Sequence, residues 1–200
     1  MAMTVPAPYI NQPSVGYLFL ALMPEEGRRQ IAALLEILER ELPGVVWPMP
    51  PEALHITLVE IIQSRKQYSF DKDEMYKWDK LAIESFSRQI LLDYESFVVN
   101  FEVLEASKEA ITVQGTDGGE FADIRRRFVD ELPIPEETKA PPDIVHSSIA
   151  RYLQAVDLEL VQQMLAAHPV SFEVPITEFR VVRTSVPPLL KYRTLQRYVL

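Results

Sequence analysis

Apolar positions change their spacing several times along this chain, and the changes mark out its elements. Residues 1–14 hold Pro6, Pro8 and Pro13 without a sustained apolar period, which predicts a loose arm. Val15–Met23 is a continuous apolar run of strand length, the pattern of a buried strand. Pro24-Glu25-Glu26 opens a helix, because proline fits a first turn and carboxylates favour its positive dipole end. Ile31, Leu34, Leu35 and Leu38 give that helix an apolar face, and Pro43-Gly44 stops it. Trp47-Pro48-Met49-Pro50-Pro51 reads as a rigid, extended lead-in to a strand over Leu54–Ile62. A polar loop over Gln63–Phe70 follows. Met75, Trp78, Leu81 and Ala82 then share one side of a helix spanning Asp71–Arg88.

Strand patterning returns in Phe97–Leu104 and Glu109–Gly115, two segments placed to pair as a hairpin. Gly115-Thr116-Asp117-Gly118-Gly119 lacks the lysine and the spacing of a phosphate-binding loop and is read as a turn before a helix over Glu120–Glu131. Leu132–Pro142 contains four prolines and is a loop that either rims a site or only connects. Ile144–Leu153 is a strand, Val156–His168 a helix ended by Pro169, and Phe172–Ser185 one long strand. Pro187-Pro188 makes a turn before a last strand, Tyr192–Leu200. Each half of the chain runs strand, helix, strand, helix, a weak internal duplication.

The chain has 200 residues, 48% of them hydrophobic, enough for one domain with a real core. It has no cysteine, which rules out disulfides and thiolate metal sites. The run Val15–Met23 is too short to cross a bilayer, and no basic leader precedes it. A soluble, cytoplasmic, monomeric protein is expected, with no membrane partner. The net charge of −9 argues against tight binding of long duplex nucleic acid, which depends on neutralising phosphates with Lys and Arg. A nucleotide or short RNA remains compatible if positive charge is local, at Arg151 or among Arg180, Arg183, Lys191, Arg193 and Arg197. The triplet Arg125-Arg126-Arg127 is expected on a solvated helix face.

Candidate chemistry concentrates in two strings, His55-Ile56-Thr57-Leu58 and His146-Ser147-Ser148-Ile149. Two of only three histidines therefore share one local pattern. Side chains alternate along a strand, so His55 and Thr57 share a face, as do His146 and Ser148. Two such strands facing each other would bring together two proton-transfer groups and two hydroxyl donors. That set suits opening of a 2′,3′-cyclic phosphate without a metal or other cofactor. One imidazole activates water, the other protonates the leaving ribose oxygen, and the hydroxyls of Thr57 and Ser148 bond the phosphoryl oxygens.

Strict alternation puts Arg151 on the opposite face, so a bulge or a long reach is needed to bring it to a phosphate. The same alternation aims Glu60 away from His55. His168, before Pro169, is assigned no role. Tyr17, Phe19, Tyr152 and Tyr192 could stack on a base, although core packing is the simpler use of each.

With these residues in view the chain resembles the 2H phosphoesterase superfamily, which includes the RNA 2′,3′-cyclic phosphodiesterases once named 2′-5′ RNA ligases. Trp47-Pro48 and Pro51-Glu52-Ala53-Leu54-His55-Ile56-Thr57-Leu58 are similar to that family's first motif and its lead-in. His146-Ser147-Ser148-Ile149-Ala150-Arg151 is similar to its second motif, and Tyr192, Leu195, Tyr198 and Leu200 to its closing strand. Glu60-Ile61-Ile62, Val145 and Ser148 depart from the commoner Phe-Leu-Gly, proline and threonine.

The resemblance implies an α+β, bilobal fold over residues 15–200, with two antiparallel sheets around a central groove and helices outside. It implies His55 and His146 as general base and acid in unassigned order, and Thr57 and Ser148 as phosphate donors. Arg151 and Tyr192 become candidate further substrate contacts. Three readings stay open: a phosphodiesterase for 2′,3′-cyclic ends or 2′-5′ linkages, one for a small signalling oligonucleotide, and a nucleotide-binding module without turnover.

Overall fold

Segments in which apolar residues alternate or run together pair into two antiparallel sheets, and the four helices cover their outer faces. The computed structural model describes residues 2–200. One sheet has four strands in the order β3 (His55–Ile62), β1 (Gly16–Leu22), β8 (Glu178–Val186) and β9 (Lys191–Val199). The other has five, in the order β2 (Val46–Pro48), β6 (Val145–Tyr152), β5 (Ala110–Thr116), β4 (Phe97–Ala106) and β7 (Phe172–Ile176). This is the α+β architecture expected.

Helices α1 (Glu25–Glu41) and α4 (Leu158–Ala166) pack on the five-stranded sheet, while α2 (Lys72–Leu91) and α3 (Glu120–Glu131) pack on the other. Local chemistry fixes their starts. Asp71 caps α2 by accepting from the backbone N–H groups of Asp73 and Glu74, and Asp157 caps α4 by accepting from Glu159 N–H. Gly119, at φ 105°, takes the left-handed turn into α3 that a side chain would resist. Asp117 steadies that turn by accepting from Phe121 N–H at 2.7 Å, so the glycine-rich stretch is the turn expected.

Phe121, Ile124 and Phe128 recur at helical spacing on α3 and are fully buried. They meet aromatic residues of the four-stranded sheet, with the Phe19 and Phe128 rings edge-on at 4.8 Å and Phe19 stacked on Tyr198 at 5.3 Å. Among the described residues no helix is long and apolar enough to cross a membrane.

Three expectations need correction. Phe172–Ser185 is not one strand. It breaks at Thr177, so that β7 closes the edge of one sheet and β8 enters the other. The burial parity records the break: Val174 and Ile176 are buried before it, Phe179 and Val181 after it. Pro175 is tolerated because β7 is an edge strand and its missing N–H leaves no partner unsatisfied.

The rigid lead-in is itself partly a strand, since Val46–Pro48 pairs with Ala150–Tyr152 of β6. The N-terminal arm is tied down. Thr4, Val5 and Ala7 donate backbone hydrogen bonds to the carbonyls of Val156, Lys108 and Tyr152 at 2.9, 2.7 and 2.9 Å. Thr4 is buried.

Candidate active site

The two histidine motifs occupy the strands of each sheet that lie closest to the other sheet. β3 is the edge strand of its sheet, β6 lies next to the edge of the other, and the two pack against one another. His55, Thr57, His146 and Ser148 all line one cavity of about 580 Å³. The motifs thus meet across a single groove, as the sequence suggested.

The strands are bulged in the same place relative to each motif. On β1, Leu22, Leu20 and Leu18 step by two, while their partners on β3 are His55, Thr57 and Glu60. On β5, Gln114, Thr112 and Ala110 step by two, while their partners on β6 are His146, Ser148 and Arg151. One extra residue in each motif strand resets the alternation. Arg151 therefore reaches the groove through the bulge that the sequence reading required of it. Glu60 does the same, which corrects the expectation that it points away; both residues line the cavity.

Each imidazole is anchored through Nδ1 to the carbonyl two residues earlier in the chain. His55 Nδ1 lies 2.7 Å from Ala53 O, and His146 Nδ1 lies 3.5 Å from Ile144 O. A carbonyl only accepts, so Nδ1–H is the donor in each case and Nε2 is left free for chemistry. Burial pushes His55 down to about 4, and the charges of Arg151 and His146 act the same way against the opposing Ala53 carbonyl. His146 is also lowered, first by burial and then by the positive charges of Arg125 and Arg151, against the opposing pull of the Ile144 carbonyl. His55 is thus the imidazole held neutral most firmly.

Around them stand donors suited to an anion. Arg151 Nη2 donates to Ser148 Oγ at 3.2 Å, while its buried Nε has no partner in the protein. Burial lowers the Arg151 pKa, and nearby Arg65 adds to the effect. Arg65 lies over the Tyr9 ring, 4.3 Å from its centroid, and both residues line the cavity. The arm thus contributes to the wall of the groove. The proline-rich loop rims it as well. Thr138 Oγ1 donates to Ile61 O at 3.2 Å, Lys139 N donates to Gln63 Oε1 at 3.2 Å, and Lys139–Asp143 line the cavity.

Arg125 is the residue the sequence reading placed wrongly. It is buried, not solvated, and its guanidinium joins the two motif strands. Nη2 donates to Thr57 O at 2.7 Å, Nε to Leu58 O at 3.1 Å and Nη1 to Ile144 O at 3.1 Å. Arg126 and Arg127 do pair with exposed carboxylates on α3 and its surroundings. The sequence signal for Arg125 was its position: Phe121, Ile124, Arg125 and Phe128 form one helical stripe.

Tyr192 is set apart from the groove, because its hydroxyl donates to Glu52 O at 3.4 Å and it does not line the cavity. Tyr17, Phe19 and Tyr152 are core residues. Among the described residues no three His, Asp or Glu side chains come together as metal ligands.

No protein-family model matches the chain, and no curated protein matches it in sequence. Solved structures do match in fold. Escherichia coli LigT complexed with NADP+ superposes with a TM-score of 0.65 at 16% identity, covering 94% of this chain and 99% of that one. A Thermus thermophilus protein, TT0787, gives 0.59 at 19% identity, covering 92% and 97%. Kluyveromyces marxianus Usb1 with uridine monophosphate gives 0.52 at 15% identity, covering 91% and 98%. The chain therefore has a LigT-like fold over nearly its whole length, in agreement with the resemblance of its motifs to the 2H phosphoesterases.

Proposed function

We propose that this protein is a metal-independent phosphodiesterase of the 2H type. It opens 2′,3′-cyclic phosphates at the ends of short RNAs or nucleotides, or related 2′-5′ linkages. The observation that carries this reading is the pair of imidazoles in one groove, each anchored through Nδ1 and each followed by a hydroxyl on the same strand face. LigT structures holding NADP+ and 3′-AMP, and Usb1 with uridine monophosphate, lend support on the class of substrate.

His55 is the general base, because burial keeps its Nε2 lone pair available near neutral pH. It takes a proton from water as the water oxygen bonds to phosphorus. The bond from phosphorus to one ribose oxygen breaks, and His146 Nε2–H protonates that oxygen. The product is a phosphomonoester with a free vicinal hydroxyl. Thr57, Ser148 and Arg151 bond the phosphoryl oxygens as their charge grows, so their stabilisation is largest in the transition state. A bound phosphate offsets the positive charges of Arg125 and Arg151 and returns His146 toward the protonated form that a general acid requires.

A second reading, a substrate with more than one phosphate, is favoured by Arg65 and Lys139, which line the same groove without a carboxylate partner among the described residues. The test is incubation with the four 2′,3′-cyclic mononucleotides in EDTA, with separation of 2′- from 3′-phosphates. Turnover should survive the chelator, and alanine at either histidine should cost about 10²–10⁴ in rate. Undiminished turnover by H146A ends the proposal. Cleavage of oligonucleotides alone selects the second reading, and binding with no product selects a module without turnover.

A further inference from the structure

The bulge that brings Arg151 into the groove has a counterpart that brings in a carboxylate, and an anion-binding groove has no evident use for one. Glu60 stands three residues past Thr57, as Arg151 stands three past Ser148. Its side chain is half-buried in the cavity wall and makes one hydrogen bond, accepting from Gln63 Nε2 at 2.7 Å through Oε2. Gln63 is itself oriented, because its Oε1 accepts from Lys139 N–H. The carboxylate is therefore held in place, with Oε1 free and no cation at ion-pairing distance among the described residues. Lys72 acts on it only at longer range, with its ammonium bonded to the carbonyls of Ser64 and Val15.

A fixed carboxylate with one oxygen open to the cavity is a ready acceptor for a donor on a ligand. Thr57 stands opposite Leu20 and Glu60 opposite Leu18, so the bulge shortens three residues to two ladder steps and sets Glu60 roughly 7 Å beyond Thr57. Glu60 and the histidines line one cavity, so a base attached to a phosphate at the histidines lies on the side of the groove that Glu60 walls. The carboxylate itself repels a phosphate, whereas a base edge rich in N–H groups can donate to it.

We propose that Glu60, oriented by Gln63, is a specificity-determining residue that reads hydrogen-bond donors on the substrate base, with guanine the preferred base. Guanine alone offers two adjacent donors, N1–H and N2–H, on that edge. Uracil offers one N–H between two carbonyl acceptors, which a carboxylate repels. The remaining Nε2 hydrogen of Gln63 is available to the guanine O6. This inference rests on the nucleotide reading of the groove proposed above.

The test is calorimetric binding of 3′-GMP and 3′-UMP to the full chain, to E60Q and to E60A, with turnover of the four cyclic mononucleotides alongside. The wild type should bind 3′-GMP about tenfold to a hundredfold more tightly than 3′-UMP, the range for a charge-assisted hydrogen bond. In both variants the ratio should fall to within about twofold. A ratio taken within one protein does not depend on the fraction folded. Equal binding of the two nucleotides by the wild type, or an undiminished guanine preference in E60A, overturns the assignment. The outcomes also separate the two claims. If all four cyclic nucleotides are cleaved equally well, the base reading alone fails. If none is bound or cleaved, the phosphodiesterase reading fails and takes the base reading with it.

Discussion

Replacing Arg125 with methionine removes a side chain that bonds β3 and the lead-in to β6 together. Its three hydrogen bonds, at 2.7, 3.1 and 3.1 Å, go to carbonyls of β3 and of the residue leading into β6. Bonds from a charged donor contribute about 1.5–3 kcal/mol each, so the gross loss is about 5–9 kcal/mol. Burial without a carboxylate partner opposes this. It lowers the guanidinium pKa to about 10, and methionine recovers several kcal/mol of that desolvation cost. The net loss is about 2–4 kcal/mol, or roughly 5–15 °C in Tm for a chain of this size.

Activity should fall further than stability explains. A shift of about 1 Å between two groups acting on one phosphorus costs about 10² in rate. Removing the cation also lets His146 titrate at higher pH, because Arg125 is among the charges that hold it down. R125K keeps the charge, but its single ammonium cannot span carbonyls of both strands. It should restore the pH profile without restoring the rate. Cyclic phosphate turnover against pH, run below the variant's melting range, reads both effects. An R125M protein with full kcat and an unshifted profile would refute the idea that this guanidinium sets the site.

Two further outcomes follow from the same charges. The His55 pKa in the fold, about 4, lies below the unfolded value of about 6.5, so its contribution to stability is complete above 6.5 and is lost as pH falls toward 4. H55Q should therefore lose less stability than the wild type between pH 7 and 4.5, by up to about 3 kcal/mol in urea melts, and parallel curves would show that His55 titrates normally. R151M should lower kcat/KM for cyclic phosphates about tenfold to a hundredfold and let both histidines titrate at higher pH; an unchanged kcat/KM would remove Arg151 from the phosphate site.

Much of this molecule was legible from apolar spacing. The strands, the helix positions and the meeting of the two motifs follow from patterns that burial imposes, but the face expected of α2 is not the buried one: Trp78 and Leu81 are exposed, while Tyr76, Ile83, Ile90 and Leu91 are buried. What spacing missed were places where one residue breaks a period. The parity change at Thr177 was present in the order of apolar positions, but a strand passing from one sheet to another reads like one long strand. Arg125 was misread because a charge run suggests solvent, whereas its place on the Phe121–Phe128 stripe puts it inside. Contacts between distant segments, such as Arg65 over Tyr9 or Gln63 with Lys139, leave no local trace in the chain. The bulges did leave one. Leu58-Val59 and Ile149-Ala150 are adjacent buried pairs where the alternation breaks, as is Ile61-Ile62 at a second register shift of β3, and two successive inward residues require an extra residue in the ladder.

The paired bulges also bear on the direction in which a substrate lies. Two strands with the same motif form a groove with approximate twofold character, and histidines and hydroxyls alone would accept a cyclic phosphate in either direction. The residues that break this equivalence are those the bulges deliver, a guanidinium on β6 and a carboxylate on β3. On the proposed reading, Arg151 would draw the phosphate and Glu60 the base. On the proposed mechanism, water activated by His55 would then attack from one side only, and His146 would protonate one particular ribose oxygen. A groove polarised this way should release a single phosphate regioisomer from every cyclic nucleotide it accepts, as read by separating 2′- from 3′-monophosphates. A mixture of the two isomers from the wild type would mean that these two charges do not orient the substrate.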